Sequence, residues 1–231
     1  MKPRMEKDFV VIVAGGKGLR MGADVPKQFM AVGGKPILMR TIERFRQYSD
    51  NIGIIVVLPH GQHDYWRKLC SEYGFGVPCT VVDGGSTRFH SSQNGLNAIP
   101  EDANGVVGIH DGVRPFVPID VIKRCYDAAR KCGAAIPVMP VVDTLRLVAG
   151  GRKAHNVLRS DYRVVQTPQA FRIDVARKAF DCGYDEAFTD DASVVEKQGQ
   201  QVEMVEGSRE NIKLTTQFDL CVAEAILKNN D

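Results

Sequence analysis

Short apolar runs and amphipathic stretches take turns through the first two thirds of the chain, and no other feature narrows its possible folds so far. Extended segments are expected at residues 9–14, 52–59, 79–83, 106–110 and 134–138, with helices between them at 36–47, 62–73, 88–99 and 118–131. Strands that are apolar throughout, rather than at every second position, are buried on both faces. Strand and helix in strict alternation then predict an α/β fold of three layers, a mostly parallel Rossmann-like sheet covered on each face by helices. Pro36 suits a first helical turn, and Ile37, Leu38, Thr41, Ile42 and Phe45 make one apolar stripe that reads as core.

The alternation breaks near Met139. Residues 140–148 and 153–159 read as two extended segments joined by the Gly150-Gly151 turn, a protruding β-hairpin arm spanning about 139–162. A two-stranded hairpin is barely stable alone in water, so the arm is expected to pack on another subunit. Residues 164–166 return to the sheet, 173–180 and 191–197 are helical, 201–205 extended, and 216–228 a last helix with its apolar side on Phe218, Leu220, Cys221, Ala225 and Ile226. Without a linker or repeat, residues 1–231 are expected to form a single domain carrying the arm.

Thirty basic residues against twenty-eight acidic ones leave a formal charge of +2, too little to draw the whole protein to nucleic acid or an anionic membrane. Any anion site must be local. The apolar runs fall far short of the ~20 residues that span a bilayer, and the charged first eight residues do not resemble a secretion signal. With six cysteines in no metal-binding spacing, the reading is a cytoplasmic protein with reduced thiols and no nucleic-acid or membrane partner. His110 reads as a residue with a local hydrogen bond rather than as a catalyst.

Chemistry concentrates where strands end. The run Val10–Ala14 opens into Gly15-Gly16-Lys17-Gly18-Leu19-Arg20-Met21-Gly22, with Pro26-Lys27-Gln28 shortly after. Glycine-rich backbone can fold its N–H groups around phosphate oxygens, and Arg20 and Lys27 add two cations. The loop is neither a P-loop nor a dinucleotide fingerprint, since Met21 stands where the latter needs glycine or alanine. A triphosphate fits better; the plain alternative is a turn that needs glycine for its dihedrals. Asp83-Gly84-Gly85-Ser86-Thr87-Arg88, with Ser91 and Ser92 a turn later, could meet a base and ribose, or could simply cap a helix through Ser86 or Thr87. His110-Asp111-Gly112-Val113-Arg114-Pro115 offers a carboxylate for Mg²⁺ and a guanidinium for phosphate, or an Asp111–Arg114 pair that steadies a turn. Arg159, Thr167, Thr189 and Lys213 are weak signals taken singly.

In order along nearly the whole chain, Ala14-Gly15-Gly16-x-Gly18-x-Arg20-Met21, Pro26-Lys27-Gln28, Asp83-Gly84-Gly85, Asp111-x-x-Arg114-Pro115, Asp143-Thr144, Thr167-Pro168-Gln169, Thr189-Asp190-Asp191-Ala192-Ser193 and Asn211-Ile212-Lys213 closely resemble the 2-C-methyl-D-erythritol 4-phosphate cytidylyltransferase family. The resemblance implies a nucleotidyltransferase fold, CTP as substrate, Mg²⁺ or another divalent cation, a homodimer with swapped arms, and a place in non-mevalonate isoprenoid synthesis. It implies that Arg20, Lys27 and Lys213 carry the catalytic charges. It assigns Ala14, Gly15, Gly16, Gly18, Gly85, Ser86, Ser91, Asp111 and Gly112 to the nucleotide, with Asp111 also on the metal. Arg114, Thr144, Arg159, Thr167 and Thr189 fall to the sugar phosphate, Thr144 and Arg159 from the arm. One departure is Ser86, where many members carry Asp. Ribitol 5-phosphate cytidylyltransferases share many of these motifs and are the alternative within enzymes; a nucleotide-binding module without turnover is the alternative outside them.

Overall fold

The computed structural model describes residues 6–15, 25–149 and 153–230. In chain order the elements are β1 (Phe9–Val13), β2 (Ala31–Val32), β3 (Lys35–Pro36), α1 (Ile37–Tyr48), β4 (Gly53–Leu58), α2 (His63–Glu72), β5 (Thr80–Asp83), α3 (Arg88–Asn97), β6 (Val106–Asp111), α4 (Ile119–Cys132) and β7 (Ala134–Pro140). There follow β8 (Arg146–Ala149), β9 (Lys153–Asn156), β10 (Arg163–Val165), β11 (Gln169–Arg172), α5 (Ile173–Phe180), α6 (Asp191–Lys197), β12 (Glu203–Glu206) and α7 (Gln217–Asn230). The strands and helices expected from the alternation all form, with ends displaced by a residue or two.

The main sheet runs β10-β7-β11-β6-β1-β4-β5, with β12 alongside β7. Pairings among β6, β1, β4 and β5 are parallel, as is β12 with β7, whereas β10 and β11 run antiparallel to their neighbours. β11, for which the sequence pattern predicts no element, lies between β6 and β7. Period-2 patterning accounts for the layers: Val10 and Ile12 face the core under α1, α2 and α4, while Val11 faces the core under α3, α5 and α6. A third apolar cluster of Val32, Ile37, Val113, Phe116, Leu214 and Ala223 ties the β2–β3 hairpin and the turn after β6 to α7.

The buried stripe of α7 differs from the expected one. Ala223 is buried, and Leu220, Ile226 and Leu227 pack beside it, but Phe218 is 75% exposed and Cys221 and Ala225 also face outward. Positions 220, 223 and 227 repeat at i, i+3 and i+7, and so do 218, 221 and 225. Composition could not tell these two parallel stripes apart. The arm forms as a separate two-stranded sheet with Arg146 opposite Asn156 and Ala149 opposite Lys153; its Gly150–Arg152 turn lies outside the described residues.

Strand order places a topological switch at β1. The chain leaves β1 for β4 and β5 on one side and then crosses to β6 on the other, which opens a crevice at the carboxyl ends of β1 and β6. Register brings the ends level: Val13 pairs with both Val57 and Asp111, and Leu58 pairs with Asp83.

Tight packing of α3 on β1 supports this alignment. A Cβ on Gly95 would sit 2.2 Å from Val11 Cγ1 and 3.0 Å from Val57 Cγ2. Alanine normally improves a helix interior by ~1 kcal/mol over glycine. Here Gly95→Ala is expected to destabilise the fold by ~1–3 kcal/mol through overpacking, read as a lower urea midpoint. A raised midpoint would show that α3 can lift from the sheet without loss.

Candidate active site

Two loops meet at the switch point. The Ala14 N–H donates to Val57 O and the Gly112 N–H to Val13 O, so the chain after β1 and the chain after β6 continue the sheet for one residue. A Cβ on Gly112 would lie 2.7 Å from Ala14 Cβ, and this close approach requires glycine. Gly15 has open space on the side where a Cβ would stand. Gly16, Gly18 and Arg20 lie outside the described residues. Lys27 begins a single 3-10 turn, Lys27–Phe29, fixed from beneath by Phe29 packing on Tyr65 and Trp66 and by Gln28 Nε2 donating to Gln62 Oε1 at 2.6 Å.

The third loop follows β5. The Gly84 N–H donates to Leu58 O and the Gly85 N–H to Ser91 Oγ at 3.0 Å, while Ser91 Oγ donates to Thr87 O at 2.9 Å. Ser91 is buried and its hydroxyl proton is committed, so it shapes the loop from within. Ser86 and Gly85 are exposed at its tip. Of the two candidate caps, Thr87 is the N-cap of α3, accepting from His90 N; Ser86 Oγ lies 3.2 Å from His90 Nδ1. A Cβ at Gly85 would fall 2.3 Å from His90 Cβ, leaving no room for a side chain.

At the centre is Asp111, the last residue of β6, with its side chain only 7% exposed. Arg88 Nη1 donates to Oδ1 at 2.6 Å, Arg114 Nε donates to Oδ2 at 3.0 Å, and Lys213 Nζ sits 3.1 Å from Oδ2. Burial alone would raise the Asp111 carboxyl, but the charges of Arg88, Lys213 and Arg114 outweigh it and hold the group below the ordinary carboxylate range. Arg88 continues to a second buried carboxylate, with Nε and Nη2 donating to Asp191 Oδ2 at 3.0 and 2.6 Å; Asp191 Oδ1 accepts from Ser92 Oγ at 2.5 Å. Arg114 Nη1 also donates to Asn211 O at 2.7 Å, which brings the Asn211–Lys213 segment against the turn. Three cations therefore surround two carboxylates, and the excess positive charge faces the crevice through Lys213, 42% exposed.

Thr167 joins this cluster from the segment before β11, its Oγ1 accepting from the Asp111 N–H at 3.1 Å. Thr189, Thr144 and Arg159 do not join it by any described contact. Thr189 is exposed one residue before Asp190, the N-cap of α6, whose capping box with Ser193 accounts for the Thr189-Asp190-Asp191-Ala192-Ser193 pattern. Thr144 and Arg159 are exposed on the arm, where Arg159 Nη1 donates to Val142 O. Arg88, Ser92 and Asp191 form the scaffold of the site, a role that sequence reasoning missed. Arg88 and Asp191 stand inside two motifs that the sequence singles out, but only the fold shows that the starts of α3 and α6 meet.

The family model of IspD, 2-C-methyl-D-erythritol 4-phosphate cytidylyltransferase, matches residues 9–229. The chain belongs to this family. A curated relative of that name from Bacteroides thetaiotaomicron is 53% identical over 221 residues, covering 96% of this chain and all of the relative. Another, from Geotalea uraniireducens, is 41% identical, covering 95% and 96%. Among solved structures, the 4-diphosphocytidyl-2C-methyl-D-erythritol synthase of Anaerococcus prevotii aligns with a TM-score of 0.82 at 27% identity, covering 96% of each chain. The IspD of Francisella tularensis aligns with a TM-score of 0.80 at 32% identity, covering 95% of this chain and 99% of that one.

In this member of the IspD family Asp111 holds Arg88, Arg114 and Lys213 together where the turn after β6 leaves the sheet. If Arg88 anchors Asp111, Arg88→Met leaves two buried carboxylates short of their partner. The expected loss is ~3 kcal/mol of folding stability, measured by urea denaturation. A loss below ~1 kcal/mol would show that the carboxylates find other partners.

Proposed function

We propose that this protein transfers the cytidylyl group of CTP to 2-C-methyl-D-erythritol 4-phosphate, releasing pyrophosphate and forming 4-diphosphocytidyl-2-C-methyl-D-erythritol in non-mevalonate isoprenoid synthesis. The observation that carries the reading is the buried Asp111 carboxylate holding Arg114 and Lys213 beside the strand ends at Ala14–Gly15 and Gly84–Gly85.

In this reading an oxygen of the sugar 4-phosphate, already ionised at neutral pH, attacks the α-phosphorus of CTP in line. A P–O bond forms as the α–β anhydride bond breaks and its electrons leave with pyrophosphate. No general base or covalent nucleophile is needed, so the protein's work is alignment and charge stabilisation. Lys27 and Arg20 neutralise the triphosphate and the transition state, aided by the Ala14, Gly15, Gly16 and Gly18 backbone. Gly85 and Ser86 meet the cytosine edge, with Ser91 acting through the Gly85 amide it holds. Asp111 and Gly112 lie toward the ribose, and Arg114, Lys213, Thr167 and Thr189 toward the acceptor.

Magnesium is read as arriving with the triphosphate. Among the described residues no group of three or more His, Cys, Asp or Glu side chains could hold a metal, so phosphate and water would supply most of its ligands. Asp111 fits as the single carboxylate: Oδ2 is shared by two cations, but Oδ1 carries one described donor. When bound, the ion helps charge leave with pyrophosphate.

A homodimer through the arm is part of the same proposal. Its support is apolar exposure along and beside the hairpin, at Val142 (56%), Val148 (63%) and Leu158 (72%), in a two-stranded element too small to stand alone. Thr144 and Arg159 would then reach a partner's site. The whole chain, 1–231, is read as one nucleotidyltransferase domain. A cytoplasmic location rests on six cysteines that are all unpaired. No described helix is long and apolar enough to cross a membrane.

The ribitol 5-phosphate alternative is not favoured, since the family model and the relatives above carry the methylerythritol name. The direct test mixes the protein with CTP, Mg²⁺ and either methylerythritol 4-phosphate or ribitol 5-phosphate and follows pyrophosphate. Release is expected with the first acceptor. Release with ribitol 5-phosphate alone would move the assignment, and tight CTP binding without release from either would point to a sensor. Lys27→Ala is expected to lower kcat by ~100-fold or more; unchanged turnover would remove Lys27 from the mechanism.

A further inference from the structure

His110 is fully buried at the end of β6, its ring edge-on to Phe45 with centroids 4.9 Å apart, and nothing in the proposed chemistry uses it. Both of its nitrogens are nevertheless engaged. Nε2 lies 3.1 Å from Arg114 O, and Nδ1 lies 3.1 Å from Thr167 Oγ1. A backbone carbonyl can only accept, so Nε2 must carry the hydrogen. The Thr167 oxygen that meets Nδ1 also accepts from the Asp111 N–H at 3.1 Å, so one imidazole reaches both ends of the turn that follows β6.

We propose that His110 is a positioning residue that clamps both ends of the Asp111–Arg114 turn. One end is held directly, through Arg114 O. The other is held through Thr167 to the Asp111 amide. The turn in turn carries the Asp111 carboxylate and the Arg114 guanidinium, so a small rotation at either end would move the two groups that shape the anion site.

The effect of the clamp on substrate rests on the cytidylyl-transfer reading, which puts Asp111 and Arg114 beside the ribose and the acceptor; the clamp itself does not.

Two measurements test it. The first needs no substrate: ¹⁵N NMR of the histidine side chains in the wild-type protein should show the His110 ring with a hydrogen fixed on Nε2. A ring with no hydrogen on Nε2, or one averaged between tautomers, would overturn the proposal. The second is steady-state kinetics of His110→Gln, which keeps a donor near Arg114 O but has no ring nitrogen at the position that meets Thr167. KM for methylerythritol 4-phosphate should rise by about 10-fold, with KM for CTP changed less than about 2-fold. An unchanged KM for methylerythritol 4-phosphate, or equal rises for both substrates, would overturn the positioning role. If that variant does not fold, Thr167→Ser and Thr167→Val take its place: serine should keep KM for the acceptor near wild type and valine should raise it, and equal values for the two would overturn the role of the hydroxyl. Wild-type protein that shows the expected tautomer but releases no pyrophosphate would reject the cytidylyl-transfer reading and leave the clamp standing.

Discussion

A buried carboxylate pinned by three cations is the constraint on which the site depends. Asp111 ends the strand β6 at the point where the sheet changes direction, and it draws Arg88 from the start of α3, Arg114 from its own turn and Lys213 from the segment before α7. Taking one carboxylate out of water is costly unless its partners are close and well placed. That cost makes the arrangement selective, because three separate parts of the chain must arrive together for Asp111 to remain ionised at this depth. The cations are held in place before any phosphate enters, so little reorganisation remains for a ligand to induce.

The sheet supplies the second half of that arrangement by aligning strand ends. With Val13 level with Asp111 and Leu58 level with Asp83, the loops after β1, β5 and β6 leave the sheet side by side. Gly112 and Gly95 are the places where this alignment is tightest, one against Ala14 and the other against Val11 and Val57. Apolar packing thus sets the spacing at which charge and backbone N–H groups face the crevice.

How much of this was legible in the sequence differs from element to element. Runs such as 9–14 and 52–59 are apolar on both faces, a pattern only a central parallel strand needs, and they were placed within a residue or two. β11 was not, because Gln169-Ala-Phe-Arg is four residues long and its strand character comes from lying between β6 and β7. The apolar side expected of α7 held for Leu220 and Ile226 but not for Phe218, Cys221 and Ala225, since Phe218 is as apolar as Leu220 and only the position of the β2–β3 hairpin decides which is covered. In the site, the loops and the Asp111–Arg114 pair were readable from spacing. The bridge from Arg88 to Asp191 was not, because the two residues are 103 positions apart and nothing local announces their meeting.

Hydroxyl residues show why a motif and a contact are different things. Ser91 and Thr167 both lie in motifs associated with ligand binding, and both are engaged inward, Ser91 donating to Thr87 O and Thr167 meeting His110 Nδ1 and the Asp111 N–H. The groups that face outward are those the hydroxyls steady: the loop tip at Gly85 and Ser86, and the turn that presents Asp111 and Arg114. A side-chain hydroxyl has one hydrogen to give, so a residue that fixes a loop through it cannot also donate it to a substrate. Ser91 and Thr167 thus serve to hold a loop and a turn still, while the guanidinium of Arg114 and the ammonium of Lys213 keep hydrogens to spare after the scaffold is built.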